Sequence, residues 1–484
     1  MLKNKVTELL TSFSEDEMKR FFEFISSSYF NKNGNLIKLV EELKKHHPGF
    51  DSTKLNNEYL YRKVFLKGKY NEQVMRNLYS QLFKLGREFL AIELFRKNED
   101  DISLAVLNQY SSKQLNNFFT SELKDLEANL KNNDDFQAHS FLYLYKLEIE
   151  RLNHLIQNDR QQEAVEHILT QSNYLIFYFI AQMSNAQNNL KINEETFNAK
   201  YDINLVKEFI LSTDFEKLMK YILRKKLPYG SMVHMYYYKM MCSVYPDVED
   251  HYFKLKSFLQ DSISTISNLE LYSVITVLEV YCTNKISKGK MEYYRELMDI
   301  YKLGIAHKTF IKGNPPSMTA LKFRNIYICA FRLGEYYWSK EFIDSHKKYL
   351  TQEGKAIAEL AYAQLDFQTG NYDGALEKLN KIETDFYYVK KDIRRVMLQI
   401  LYELDDIEGV LSQVNSFRQY INNNSKLVDD TKDNYIRFIN VMTNLAKLKS
   451  APKKDKLKLL QKKVKADRLP AQGWIEEKIE GLIS

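Results

Sequence analysis

Few residues in this sequence have the types and spacing that catalytic chemistry or metal binding requires. His46 and His47 are adjacent, so on a helix their rings would point about 100° apart and would be poor joint ligands. Glu163 and His167 are four residues apart, a spacing more typical of a surface ion pair than of an acid–base pair. The acidic residues with one His at 246–251 fit the first turn of a helix, where carboxylates are favourable. We therefore expect no metal and no cofactor.

The loops and motifs that hold nucleotides or nucleophiles are missing from the sequence. None of its 15 glycines forms a GxG pair, and GxxxxGK[ST], HExxH and GxSxG do not occur. Cys242, Cys282 and Cys329 are isolated, which argues against a disulfide framework and against a zinc site. The sequence predicts a protein that is not an enzyme.

The location of the protein is predicted from its apolar segments. The first ten residues mix Lys, Asn and Glu into an apolar pattern, unlike a signal peptide. The longest strongly apolar run covers 174–181, far less than the roughly 18 residues that span a bilayer. We expect a cytoplasmic protein that does not insert into membranes.

The elements that must position any site are predicted to be helices. The 484 residues include only 15 Gly and 7 Pro, and sheet-rich folds need many more turns. The length also exceeds what one hydrophobic core supports. We predict an all-α fold, a right-handed α-solenoid of helical hairpins with an N-terminal helical module. The predicted segments are 1–100 (N-terminal module), 101–312 (irregular hairpins), 313–450 (repeats) and 451–484 (a basic helix and a C-terminal capping helix).

Cap and core patterns define the N-terminal module. Ser14 and Glu17 have capping-box spacing, and Asn71 is placed to cap a long helix. A predicted helix at 57–66, a turn and this second helix together follow the helix-turn-helix order of DNA readers. The same order is common in all-α proteins, so nucleic-acid binding by 57–97 is an alternative and not the main prediction.

Self-similar turns mark the segment after the Gly/Pro-rich loop at 313–317. Residues 333–339 match 369–375 at an offset of 36, and 370–376 match 405–411 at an offset of 35. In each match a Gly or Asp tolerates the turn, and a small residue in the following helix permits close helix packing. A repeat with this period indicates stacked helical hairpins.

The best-defined of these units resembles a tetratricopeptide (TPR) repeat. Within residues 361–376, Ala363 matches the small position of the first helix, Gly370 and Tyr372 match the turn, and Ala375 matches the small position of the second helix. The resemblance implies a solenoid that binds proteins rather than an enzyme.

The neighbouring units depart from the TPR pattern. Tyr327 and Leu398 stand at the small position, Asp405 replaces the turn Gly, and no Pro follows the second helix. The units are therefore TPR-like over about 318–422. The whole sequence is also similar to bacterial helical-repeat proteins, a similarity that implies no activity.

In TPR arrays the first helices line the concave face, so the resemblance implies a partner-binding groove there. Arg pairs with carboxylates and Gln pairs with a peptide backbone, which suits a protein or peptide partner of acidic character or the C-terminus of a polypeptide. The implied residues are Arg324, Ile328, Arg332, Gln364, Gln368, Arg395, Gln399 and Tyr402.

The charge of the protein is concentrated near its end. The net charge is +7, and residues 447–468 contain ten basic and two acidic residues, so the remainder is nearly neutral. The helix predicted at 453–465 is either simply solvated or binds polyanions, nucleic acid among them. The lysines singled out for polyanion binding are Lys453, Lys454, Lys462 and Lys463.

Overall fold

The computed structural model describes residues 4–52, 55–65, 67–132, 135–197, 199–351, 354–425, 427, 429–467 and 469–483. Over these residues it contains 24 α-helices and no β-strand, which confirms the predicted all-α class. None of the helices described is long and apolar enough to cross a membrane. Two compact units divide the protein, residues 1–133 with 140–175 and residues 134–139 with 176–484.

The first unit holds a core of packed N-terminal helices, and it includes most of α8 and the first part of α9. Its helices are α1 (Lys5–Thr11), α2 (Glu15–Ser26), α3 (Gly34–Lys44), α4 (Asn57–Val64), α5 (Glu72–Arg96), α6 (Glu99–Ser112), α7 (Asn116–Lys131), α8 (Ala138–Gln157) and α9 (Gln161–Phe197).

The predicted caps of this unit are confirmed. The Ser14 hydroxyl accepts a hydrogen bond from the Glu17 backbone N–H at 3.2 Å, and the Glu17 carboxylate accepts one from the Ser14 N–H at 2.8 Å. Asn71 caps α5 through the Val74 N–H at 3.2 Å. These bonds satisfy amides that the first turn of a helix leaves without partners, and they fix where α2 and α5 begin.

The second unit contains the rest of α9, from residue 176, and the remaining helices. They are α10 (Leu205–Ser212), α11 (Phe215–Arg224), α12 (Gly230–Val244), α13 (Glu249–Ser262), α14 (Asn268–Ser287), α15 (Tyr293–Ala306), α16 (Ala320–Arg332), α17 (Tyr336–His346), α18 (Lys355–Gln368), α19 (Tyr372–Asn380), α20 (Tyr387–Glu403), α21 (Ile407–Asn423), α22 (Asp429–Ser450), α23 (Lys454–Ala466) and α24 (Gln472–Ile483).

From α11 to α24, helices consecutive in sequence pack together through most of the unit, and the alternate helices α16, α18 and α20 also contact one another. Ala363 and Ala375 are fully buried where α18 meets α19. A methyl group is all that such a close approach accommodates. The small residues picked out by the sequence pattern therefore do lie in packed interior.

The three matched turns share one backbone conformation. Gly334, Gly370 and Asp405 have φ of 73°, 81° and 61°, the left-handed region that Gly adopts freely and Asp tolerates. The residue after each donates its N–H to the carbonyl five positions earlier, at 2.9, 2.9 and 3.0 Å. This is the bond that closes a helix in a Schellman motif. The sequence match at offsets of 36 and 35 thus corresponds to a recurring local structure.

The loop at 313–317 is a local turn rather than a gap in the packing. Lys312 and Ser317 exchange two backbone hydrogen bonds of 2.8 Å across it, and α15 packs against α16. The ammonium of Lys322 binds the buried Glu279 from the other side of the loop at 2.6 Å. Residues before and after this loop therefore stabilise each other.

The apolar run at 174–181 is only partly buried. The run is helical, within α9, but Leu175, Ile176 and Phe179 are each over two-fifths exposed. A helix that is apolar on all sides needs neighbours on all sides, and the described neighbours cover only part of this segment.

Candidate functional site

Six of the eight residues expected in the groove line one open pocket of about 270 Å³. Helices α16, α18 and α20 each contribute two of them. Ile328, Gln364 and Gln399 are one repeat apart and therefore project from equivalent points of adjacent helices. The six are Ile328, Arg332, Gln364, Gln368, Arg395 and Gln399. Residues far apart in sequence are thereby brought to one place, as the repeat register predicts.

Arg324 does not line this pocket, and the structure gives it a different role. Its Nε donates to Asp392 Oδ2 at 2.6 Å, and its Nη2 lies 2.5 Å from the same oxygen. Asp392 is 1% exposed. Burial alone would raise the pKa of Asp392, but the nearby Arg324 and Arg395 outweigh it and hold that pKa below its usual value. The guanidinium of Arg324 is thus committed to an internal carboxylate and is not free to bind a partner.

Tyr402 is also misplaced by the sequence pattern, which predicted that it would be exposed. It is 2% exposed, and burial raises its pKa to about 12. The spacing of 36 and 35 residues explains the error, because it aligns Tyr402 with the buried Phe367 and assigns Glu403 to the position of Arg332 and Gln368. Aromatic residues at this point pack at the end of the first helix, so Tyr402 belongs to the interior.

Some polar groups of the pocket have a hydrogen-bond partner among the described residues, and one does not. Gln399 Oε1 accepts from Arg395 Nη1 at 2.7 Å, and Gln368 Oε1 accepts from Tyr336 Oη at 3.0 Å. Gln364 is 4% exposed, where exposure had been expected, and its Oε1 has no donor within the described residues. A buried amide oxygen without a donor costs about 1–3 kcal/mol, so the pocket offers an acceptor to an incoming N–H.

The charge of the pocket is positive on balance. Arg332 is exposed at its edge and forms no ion pair with any described residue, and Arg395 lies deeper. Glu477 is the one acidic residue in the lining, and its carboxylate lies 3.0 Å from Lys478 Nζ. The lining therefore favours an anionic group beside an N–H donor.

Helix α24 forms one wall of the pocket, which the sequence did not reveal. Trp474 Nε1 donates to Glu403 Oε1 at 2.7 Å, and Lys478 Nζ lies 2.9 Å from the same oxygen. The Trp474 ring centroid lies 5.4 Å from that of Tyr402. The sequence assigned this segment a capping role only. The sequence does indicate the apolar side of the pocket, because Phe331 and Phe367, which also line it, recur at the repeat offset.

Groups suited to metal binding or nucleophilic chemistry do not cluster in the described residues. No set of three or more His, Cys, Asp or Glu residues there could hold a metal ion. Cys242, Cys282 and Cys329 are free and buried, and burial raises the pKa of Cys282 and of Cys329 to about 12. These two thiols stay protonated at neutral pH and are not activated nucleophiles.

Glu163 and His167 do not pair with each other, and His167 and His154 both have structural partners. His167 Nδ1 lies 2.8 Å from Glu148 Oε2, while Glu163 binds Arg160 at 2.7 Å. His154 is stacked on Phe119, with ring centroids 3.7 Å apart, and burial lowers its pKa. Both histidines are accounted for by packing and ion pairing.

The segment 57–97 has the predicted order of helix, turn and helix in α4 and α5, with Leu66 outside the described residues. Lys84 and Arg87 are exposed, but Arg76 binds Glu72 at 2.6 Å. The exposed face of α5 is thus of mixed charge, and a role in nucleic-acid binding stays a prediction.

The lysines of the basic segment are placed as the sequence predicts, on the surface. Lys453, Lys454, Lys462 and Lys463 are all exposed, while Arg468 lies outside the described residues. Leu457, Leu460 and Val464 form the buried face of α23. Helix α23 is therefore docked with its lysines in solvent, whereas Lys449 of α22 donates to the Tyr402 carbonyl at 2.7 Å.

Comparisons of the sequence with protein-family models and with curated proteins, and of the fold with solved structures, found no match.

Proposed function

We propose that this protein is a non-enzymatic scaffold or adaptor, in which TPR-like helix pairs stack as a right-handed α-solenoid and the pocket on α16, α18 and α20 binds a protein or peptide partner. One observation carries the proposal. Residues at equivalent points of three helix pairs converge on a single pocket that contains an unpaired buried acceptor, Gln364 Oε1, and whose lining carries two Arg against one Glu.

The chemistry of the pocket favours an extended acidic peptide or a free C-terminus. Arg332 and Arg395 suit a carboxylate, since a guanidinium can donate two parallel hydrogen bonds to it. Gln364 Oε1 suits a backbone N–H. Phe331, Phe367 and Trp474 add apolar surface for one residue of the partner. Partner binding by groups of this kind needs no cofactor.

A cytoplasmic location is part of the same proposal. The three cysteines are free and buried, as is common in a reducing compartment where structural disulfides do not form.

The test is peptide selection on the full-length protein, followed by affinity measurement. Peptides from a random library are displayed, and the Kd of the best is measured by fluorescence anisotropy for the parent protein and for Arg332→Ala/Arg395→Ala. We expect selected peptides to be acidic or to require a free C-terminus, and the double variant to lose about 2–5 kcal/mol of binding.

Arg394→Ala is the matched control. Arg394 lies on the same helix as Arg395 but outside the pocket, where it donates to Ser416 Oγ at 2.9 Å. Its removal should leave the peptide Kd within about twofold. Equal losses in the two variants, or selected peptides with no acidic or C-terminal preference, would contradict the proposal.

A further inference from the structure

The basic helix α23 concentrates lysines that have no acidic partner among the described residues. Among residues 453–465 there are seven lysines and one acidic residue, Asp455. All seven lysines are exposed, and none of their ammonium groups forms an ion pair or hydrogen bond with a described residue. Some other exposed lysines of this unit do bind a carboxylate four residues away, as Lys220, Lys340 and Lys381 do at 2.6, 2.8 and 2.5 Å.

Repulsion among the lysines of α23 destabilises this helix. Lys454 and Lys458, and Lys458 and Lys462, are like charges four residues apart, and each such pair costs about 0.2–0.5 kcal/mol. The helix forms because Leu457 and Val464 are fully buried and Leu460 is 6% exposed. Burial of one such residue contributes about 1.5–3 kcal/mol, which exceeds the repulsion.

The docked helix fixes the backbone positions of these lysines relative to one another. At about 100° per residue, Lys454, Lys458, Lys462 and Lys465 fall within one narrow stripe of the helix surface, and 11 residues at about 1.5 Å each give it a length of about 16 Å. Because the apolar face is docked, the stripe is ordered before any partner arrives. A preorganised array loses less entropy on binding than a flexible tail does.

The residues on the exposed face of α23 favour nucleic acid over a membrane or an acidic protein as the partner. An amphipathic helix that inserts into a membrane buries its apolar face there, but the apolar face of α23 is already buried in the protein, which leaves only charge attraction to anionic lipid. Leu459 is the single large apolar residue exposed on the helix, whereas protein interfaces are built around aromatic and apolar anchors and are poor in Lys. Phosphates of nucleic acid need only positive charge.

We propose that the stripe Lys454, Lys458, Lys462 and Lys465 is a binding surface for the phosphate backbone of double-stranded nucleic acid, without sequence preference. A duplex is favoured over a single strand because the exposed face of α23 has no aromatic residue on which unpaired bases could stack. Bound phosphates would also relieve the repulsion along the stripe. This surface is independent of the pocket on α16, α18 and α20.

The test measures binding of the full-length protein to a labelled 24-base-pair duplex, as DNA and as RNA, by fluorescence anisotropy across a range of KCl. Four phosphate contacts predict a slope of log K against log salt of about −3.6. Replacing all four stripe lysines by Gln should weaken binding about 100-fold or more at 0.1 M KCl and flatten the slope.

The control variant removes four positive charges at other places on the surface. Lys220, Lys254, Lys340 and Lys381 are exposed lysines paired with a carboxylate four residues away on the same helix, and their replacement by Gln should leave the duplex affinity within about threefold. Circular dichroism checks folding, and the stripe variant should melt no lower than the parent because repulsion is removed.

Three outcomes overturn the proposal. They are no measurable duplex binding at 0.05 M KCl, equal losses in the stripe and control variants, and tighter binding to vesicles of anionic lipid or to a polyglutamate peptide than to the duplex. Stronger binding to a single strand of equal length would overturn the assignment of a duplex.

Discussion

Replacing Arg324 by Ala should sharply destabilise the helices around α16 and α20. Arg324 contacts Asp392 at 2.5 Å, and the variant leaves that carboxylate 1% exposed without its main partner. Removing one member of a buried ion pair costs about 3–5 kcal/mol. With a urea m-value of about 3 kcal/mol/M, the unfolding midpoint should fall by about 1–1.7 M.

Tryptophan fluorescence is the appropriate readout for this variant. The protein has two tryptophans, Trp338 in α17 and Trp474 in α24, so their emission follows the part of the second unit that contains Arg324. Arg295→Ala is the matched control, since Arg295 pairs with Glu335 but is 62% exposed. An exposed pair of this kind contributes about 1 kcal/mol or less, a midpoint shift of roughly 0.3 M or less.

A shift for Arg324→Ala no larger than that for Arg295→Ala would show that the Arg324–Asp392 pair does not stabilise the fold as a buried pair. It would mean that Asp392 is solvated or re-paired, and that Arg324 could have been available to a partner after all.

Three further predictions follow from the packing and the charges. Ala375→Leu should lower the free energy of unfolding by about 1–3 kcal/mol, because the larger side chain overpacks the α18–α19 contact; the same fluorescence assay measures this. The control is Ala128→Leu on the exposed face of α7, which should leave the helical content and melting temperature unchanged. Equal behaviour of the two variants would contradict close packing at Ala375. The pKa of Asp392 is lower in the folded protein than in the unfolded chain, so its contribution to the free energy of unfolding is complete above the unfolded pKa of about 3.9 and is lost as pH falls through the folded pKa. The stability difference between the parent and Asp392→Asn should therefore be constant above about pH 5 and shrink below about pH 4. A difference that grows on acidification would contradict this prediction. Trp474→Phe should cost about 0.5–1.5 kcal/mol by removing the indole hydrogen bond to Glu403, read from Trp338 emission, and no change would indicate that α24 is not held at the pocket.

Much of the local structure follows from the sequence because its causes are local. The Ser14 capping box, the Asn71 cap and the left-handed turn at Asp405 each depend on residues within a few positions. The repeat offset likewise places Ile328, Gln364 and Gln399 at one pocket, since identical spacing on equivalent helices gives equivalent positions.

The parts that the sequence did not reveal depend on long-range pairing. The charge of Arg324 looks available until Asp392, 68 residues away, is seen to neutralise it. Trp474 becomes a wall of the pocket only because α24 reaches Glu403, which is 71 residues earlier. Periodicity marks which face of a helix is apolar, but it does not state which distant residue neutralises a given charge.

Site-specific photo-crosslinking at Gln368 reports whether a partner binds in the pocket. Gln368 is an exposed residue of the pocket, and a benzoylphenylalanine placed there in the full-length protein should crosslink, in cells of the source organism, to a partner at a defined peptide segment. The same crosslinker at Lys381, exposed but outside the pocket, should not capture that segment, and Arg332→Ala/Arg395→Ala should abolish the product at 368. The same product from both positions, or a product at 368 that survives the double variant, would contradict partner binding in this pocket.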